Sequence, residues 1–350
     1  MDQQYTLRLE KIEKILDHWL PENPDPAWAK EVFPGLGQIN KDLLRVLAAP
    51  GKDILSRGGK RWRPLLMTLA CEAFGGGDAA LPLAPLVEFC HNASLIHDDI
   101  EDNSDERRGK PAVHLIHGID AAINSGSFLY FLPLACIDSW SKSDICRAEV
   151  YSLWAAYLRK LHLGQAIDIH WHRNFDIVPS VDEYFAMCAM KTGCLARFAA
   201  ELGVMAAKTA GCGTDKTGAP GKAAPLPEAS PLEEAAEKLG IGFQILDDVK
   251  NLTTGVPGKK RGDDIVEGKK SLPVLLFLKR SEKKEMVRRC FAASRVNGAG
   301  APETEELIQA LAAGGVIKEA EEQGKAFIAG ARKVFEETGA LLAGLLDLIS

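Results

Sequence analysis

The chain has 350 residues, 46% of them apolar and 7% aromatic, with a formal net charge of −6. That is ample apolar material for one large core, while the acidic balance excludes a nucleic-acid binder, whose phosphate contacts demand a basic surface. Eight scattered cysteines without a CxxC pair exclude a disulfide framework and read as reduced core residues.

Alanine, leucine, glutamate and lysine fill the long segments and clean alternation is scarce, so the expected class is all-α. Residues 5–20 form an amphipathic helix, and a break follows at Pro21, Pro24 and Pro26. A second helix covers about 38–48, and Gly58-Gly59-Lys60-Arg61-Trp62-Arg63-Pro64 is a turn feeding a helix over 64–74. A long helix over 82–103 leads into a basic loop at 104–113, and helices follow near 119–138, 144–173 and 181–208. Residues 209–230, rich in Gly, Ala, Pro, Lys and Thr, read as a mobile insertion within a single domain spanning 1–350. A helix over 231–252, a basic loop at 255–270 and three or four further helices complete the chain. The first 14 residues are charged throughout and lack a signal-peptide core. No apolar run approaches the roughly 18–20 residues of a membrane span, so the expected location is the cytoplasm, with no transmembrane segment.

Two of these helices carry acidic clusters. The first reads Asp98-Asp99-Ile100-Glu101-Asp102 and the second Gln244-Ile245-Leu246-Asp247-Asp248-Val249-Lys250-Asn251. At roughly 100° per residue, Asp98 and Asp102 lie about 40° apart, with His91 about 20° from Asp98 two turns earlier. Gln244, Asp247, Asp248 and Asn251 share a stripe about 100° wide, with Leu246 and Val249 opposite. An acidic, solvated helix surface explains either cluster alone. Two of them, each framed by apolar residues and followed by basic residues, require compensating cations, because crowded carboxylates repel and lose hydration. Hard divalent ions shared with substrate phosphates are the natural compensation, which points to a magnesium-diphosphate enzyme.

The basic residues are local and suited to a small anion. Lys60, Arg61 and Arg63 precede Pro64, Arg107 and Arg108 follow the first cluster, and Lys260, Arg261, Lys269 and Lys270 follow the second. Lys191-Thr192-Gly193 interrupts an apolar helix, and its glycine marks a local break that turns Lys191 toward a cavity. Gln165 and Asp168 share a helix face at i, i+3. Facing helices that carry acidic clusters build metal sites inside helical bundles.

In order and spacing, these segments resemble the trans-isoprenyl diphosphate synthases of the polyprenyl synthetase family along nearly the whole chain. The resemblance implies the type I isoprenoid synthase fold, an all-α bundle around a central cavity, found as a homodimer. It implies that Asp98, Asp99, Asp102, Asp247, Asp248 and Asn251 hold three Mg²⁺ ions. Asn251 stands where the family pattern has a third Asp. Lys60, Arg63, His91 and Arg108 would hold isopentenyl diphosphate. Arg107, Lys191, Thr192, Gln244, Lys260 and Lys269 would hold the allylic diphosphate, with Lys191 also assisting catalysis. The implied reaction is ionisation, condensation and elimination, with the released diphosphate taking the final proton.

Chain length in such enzymes depends on what blocks the growing tail. Ala93 and Ser94, five and four residues before Asp98, are small, so a C20 product is expected; C15 or longer products are the alternatives. Tyr130, Phe131 and Phe128 are candidates for a deeper floor. A terpene cyclase would need no counterpart of Lys60, Arg63 and His91, and a silent subunit would have lost one of the acidic clusters.

Overall fold

The computed structural model describes residues 3–141, 143–211, 231–255 and 260–349. Most of the expected 209–230 insertion, together with Cys212 and Lys259, lies outside the described residues. The chain runs through α1 (Gln3–Trp19), α2 (Pro26–Val32), α3 (Lys41–Ser56), α4 (Trp62–Ala73) and a 3₁₀ segment, Gly77–Leu83, that continues into α5 (Ala84–Glu101). Then come α6 (Val113–His117), α7 (Ile119–Phe131), α8 (Ala135–Trp140), α9 (Asp144–Arg173), α10 (Val181–Cys188), a π segment at Ala189–Gly193 and α11 (Cys194–Gly211). Beyond the insertion lie α12 (Pro231–Thr253), α13 (Asp263–Glu267), α14 (Leu272–Arg280), α15 (Lys284–Asn297), α16 (Pro302–Ala313), α17 (Val316–Thr338) and α18 (Ala340–Ile349). The class is all-α, as expected, but more helices than expected follow residue 270.

Pro26 starts a helix instead of only breaking one. Asp25 caps α2 by accepting from the Trp28 amide at 2.8 Å, and Pro26 occupies the first turn, where its missing N–H costs nothing. Helix α3 runs past residue 48 and across Pro50; the Gly51 amide finds Ser125 Oγ of α7 at 3.0 Å. The helix expected over 119–138 is split at Leu132–Leu134, where Pro133 interrupts the α pattern.

The basic loop after α5 is a two-stranded hairpin, Glu106–Arg107 against Lys110–Pro111. Arg108 and Gly109 form its turn, both at positive φ (54° and 76°), the pattern of the tight primed turns. The hairpin aims Arg107 and Arg108 in different directions.

Helix α12 ties two apolar cores together. Leu232, Ala235, Ala236 and Leu239 pack on α11 in the core that also holds α4 and α5, while Ile241, Ile245, Val249 and Leu252 belong to a core with α10, α14 and the C-terminal helices. Between them the π segment is gripped from both sides. A Cβ on Gly164 of α9 would lie 2.4 Å from the Lys191 amide, and one on Gly240 of α12 would lie 2.5 Å from Gly193 Cα. Only glycine lets the backbones approach so closely, and the extra π residue has two helices to seat against.

Two continuous helical stretches, Gly77–Glu101 and Ile119–Trp140, are long and apolar enough to cross a membrane by length and composition. This corrects the expectation of no such run. The first is mostly buried and ends in the acidic cluster, as a core helix does.

Candidate active site

Helix α5 is apolar and buried until its last turns, where Asp98 and Asp102 stand one turn apart, the Asp102 amide donating to the Asp98 carbonyl at 2.9 Å. Asp98 Oδ1 accepts from Gln165 Nε2 at 3.0 Å and from Lys191 Nζ at 3.3 Å. Lys191 also donates to Asp168 at 2.5 Å, and Lys269 donates to Asp102 at 3.1 Å. Burial opposes the charge on both lysines, but Asp168 and Asp98 outweigh it at Lys191, and Asp102, Glu267 and Asp264 outweigh it at Lys269. Both ammonium groups are therefore locked in the charged form. Asp99 is fully buried and turns to Arg107, whose Nε donates to it at 2.9 Å. Glu101 is raised above the usual carboxylate range by burial, against a 2.6 Å hydrogen bond from Gln165.

The second cluster divides in the same way. Asp247 is exposed. Asp248 is 4% exposed, with Tyr184 donating to one oxygen at 2.7 Å and Gln244 to the other at 2.9 Å. Gln244 in turn accepts from Thr192 Oγ1 at 2.7 Å. Burial lifts the Asp248 pKa to about 6, against those two hydrogen bonds.

Asn251 departs from its expected place. Its side chain is buried and its Oδ1 accepts from the Asp264 amide at 3.1 Å, while its carbonyl takes the Gly262 amide at 2.9 Å. It anchors the loop into α13 instead of presenting an oxygen beside Asp247.

The expected basic pocket forms around α4, α5 and the hairpin. Arg63 lies with its guanidinium 4.4 Å from the centroid of Trp62, and its Nε is buried with no hydrogen-bond acceptor among the described residues. Arg108 donates to the Ile54 and Gly58 carbonyls and to Asn92 Oδ1. Burial lowers the pKa of each to about 10, with Arg108 acting on Arg63, and with Arg61, Arg107 and Arg57 acting on Arg108. His91 is pushed well below its ordinary value by burial and then by Arg63 and Arg108. Mutually repelling cations of this kind describe a place made for an anion. Arg61 is not part of it: it pairs with Glu13 at 2.7 Å and Glu88 at 2.9 Å and holds the turn before α4. Lys60 is exposed at that turn.

The structure thus gathers Asp98, Asp102, Lys191 and Lys269 in one network and Thr192, Gln244 and Asp248 in another. Lys260 is exposed at the loop entrance, its amide donating to Asp263 at 2.6 Å. Tyr184, Glu101, Asp264 and Glu267 belong to these networks without having been singled out as site residues. Of the chain-length candidates, Ala93 is fully buried and Ser94 half-buried. Tyr130 is buried between His97 (5.7 Å, stacked) and His162 (5.0 Å). Phe131 is 61% exposed and Phe128 stacks on Phe33, so neither accompanies Tyr130.

The sequence matches the polyprenyl synthetase family over residues 44–301. It is 36% identical over 232 residues to the short chain isoprenyl diphosphate synthase of Methanocaldococcus jannaschii, a match covering 65% of each chain. It is 32% identical over 249 residues to the geranylfarnesyl diphosphate synthase of Aeropyrum pernix, covering 69% of this chain and 73% of that one. Among solved structures, the geranylgeranyl pyrophosphate synthetase of Pyrococcus horikoshii superposes with a TM-score of 0.72 at 26% identity, covering 99% of this chain and 98% of that one. The acidic clusters, the cations that answer them and the extent of these matches lead to one statement: the chain belongs to the polyprenyl synthetase family.

Proposed function

We propose that the chain joins isopentenyl diphosphate head-to-tail to an allylic diphosphate and that its main product is C20. The observation that carries this reading is the pairing of two acidic walls with a separate cluster of repelling cations, one site for each diphosphate. Lys60, Arg63, His91 and Arg108 bind isopentenyl diphosphate. Arg107, Lys191, Thr192, Lys260 and Lys269 bind the allylic diphosphate, and Gln244 orients Thr192.

The donor set fits a hard divalent ion such as Mg²⁺. It consists of carboxylate oxygens, and Asp98 and Asp102 stand one turn apart on α5, answered by the buried Lys191 and Lys269. In this reading Asp98, Asp102 and Asp247 would ligate the ions. Asp99 and Asp248 are committed to Arg107 and to Tyr184 with Gln244, and position the walls. Bound there, Mg²⁺ supplies neutralisation of the departing diphosphate. Lys191 and Lys269 add fixed positive charge where negative charge develops as the allylic C–O bond breaks. The double bond of isopentenyl diphosphate then attacks the allylic carbon, and the proton lost from the adduct goes to the released diphosphate.

Turnover of labelled isopentenyl diphosphate with C5, C10 and C15 primers and Mg²⁺, followed by chromatography of the dephosphorylated products, tests both parts. A C20 alcohol is expected. C15 as the main product would overturn the length assignment, and no elongation with any primer would overturn the reaction.

The functional unit is a homodimer. Leu43 and Val46 of α3, Leu115 and Ile116 of α6, and Ile119 and Ile123 of α7 are exposed large apolar side chains on three mutually packed helices. A monomer rarely leaves so much contiguous apolar surface in water. Sedimentation of the wild type should give twice the chain mass and that of Ile119→Glu the chain mass; a monomeric wild type, or a variant that stays dimeric, contradicts this.

A further inference from the structure

The loop behind the second wall is fastened from the rear by two cations outside the site described so far. Lys270 is only 4% exposed, and its Nζ donates to the carbonyls of Trp171 at 3.2 Å and Gly268 at 3.0 Å. The same ammonium lies over Phe291 at 4.8 Å and Phe175 at 5.5 Å. Arg295 of α15 donates to the His172 carbonyl at 2.9 Å and the Glu267 carbonyl at 2.8 Å, with its guanidinium 4.5 Å from the Phe175 centroid. Two cations therefore bind the carboxyl ends of two helices, α9 and α13, where helix carbonyls lack partners and attract positive charge. The aromatic faces favour the same charge.

We infer that Lys270 and Arg295 are positioning residues that fix the Gly268–Lys269 backbone so that Lys269 crosses to Asp102. This inference rests on the reading of Lys269 as a ligand of the allylic diphosphate.

The geometry between them is tight. Gly268 has φ +83°, and a Cβ there would lie 2.7 Å from Phe175 Cε1, 3.0 Å from the His172 carbonyl and 3.2 Å from an Arg295 nitrogen. The next residue, Lys269, turns the other way, with its ammonium 2.6 Å from Glu267, 3.1 Å from Asp102 and 3.7 Å from Asp264. Adjacent lysines thus face opposite sides of one strip of backbone, and the rear lysine decides where that strip lies. Burial, with Arg295 beside it, lowers the Lys270 pKa to about 8, which leaves it mostly charged at neutral pH. A buried charge of this kind persists only where its hydrogen bonds are taken up, as they are here.

A double-mutant cycle separates positioning from general stability. Lys270→Met keeps the aliphatic stem and removes the charge; Lys269→Ala removes the group it positions. Lys270→Met should raise KM for the allylic diphosphate about tenfold, the scale of one charge-assisted hydrogen bond, and leave KM for isopentenyl diphosphate unchanged. In the Lys269→Ala background the same change should add less than about twofold. Arg295→Met, at an exposed side chain, should give the same pattern more weakly and carries the test if Lys270→Met does not fold. Multiplying effects in the double variant, or equal rises in both KM values, would overturn the inference. Calorimetric titration of the same proteins with Mg²⁺ and inorganic diphosphate reads the coupling without turnover. Failure of the wild type to elongate any primer would then count against the reaction alone.

Discussion

Alanine at Asp98 or at Asp247 is expected to cut prenyl transfer at least about a hundredfold, the scale on which a single group stabilising developing charge is felt, while the helical circular-dichroism spectrum stays unchanged. Neither side chain is part of an apolar core. Asp247 is exposed, and Asp98 sits among polar partners that persist without it, since Lys191 keeps Asp168 at 2.5 Å. Their neighbours behave differently. Asp99→Ala takes from Arg107 its close carboxylate and leaves it Asp98 at 3.6 Å, and Asp248→Ala takes the acceptor of the buried Tyr184 hydroxyl, so both lose stability as well as activity. Thermal melts beside the kinetics therefore sort the four carboxylates into ligands and supports. More than a tenth of wild-type activity in either Asp98→Ala or Asp247→Ala would remove the two-wall mechanism.

The second large effect is on product length. Tyr130→Ala removes a buried ring held between His97 of α5 and His162 of α9. Products longer than C20 are expected, at a cost in stability of about 3 kcal/mol for the lost buried ring. Ser94→Phe should do the reverse and shift the product to C15, because Ser94 is half-buried and has room that fully buried Ala93 lacks. Chromatography of the dephosphorylated alcohols reads both. An unchanged C20 distribution in both variants would mean the tail runs elsewhere.

Much of this site was legible in the sequence because its elements carry local signatures. Asp98 and Asp102 share a face by helical period alone, Gly193 marked the break that turns Lys191, and the basic hairpin follows its cluster directly. What stayed hidden depends on contacts between distant segments. Asn251 lies on the same helical stripe as Asp247, but only the packing of residues 260–264 shows that its amide is taken by the loop. Tyr184 is one aromatic in an ordinary amphipathic helix until α12 brings Asp248 to it. Lys270 is one of the basic residues after the second cluster, and nothing local reveals Phe175 and Phe291 around it. The exposed apolar faces of α3, α6 and α7 are likewise not legible in the sequence, since periodicity reports an apolar stripe and not what covers it.

The π segment at Ala189–Gly193 has a mechanical consequence. Lys191 reaches Asp98 on one wall and Thr192 reaches Gln244 on the other, so neighbouring residues report to opposite sides. Their Cα atoms are held about 3.8 Å apart by the peptide bond itself. One short stretch of backbone thus carries a side-chain tether to each wall, so a shift of that stretch is felt on both sides at once.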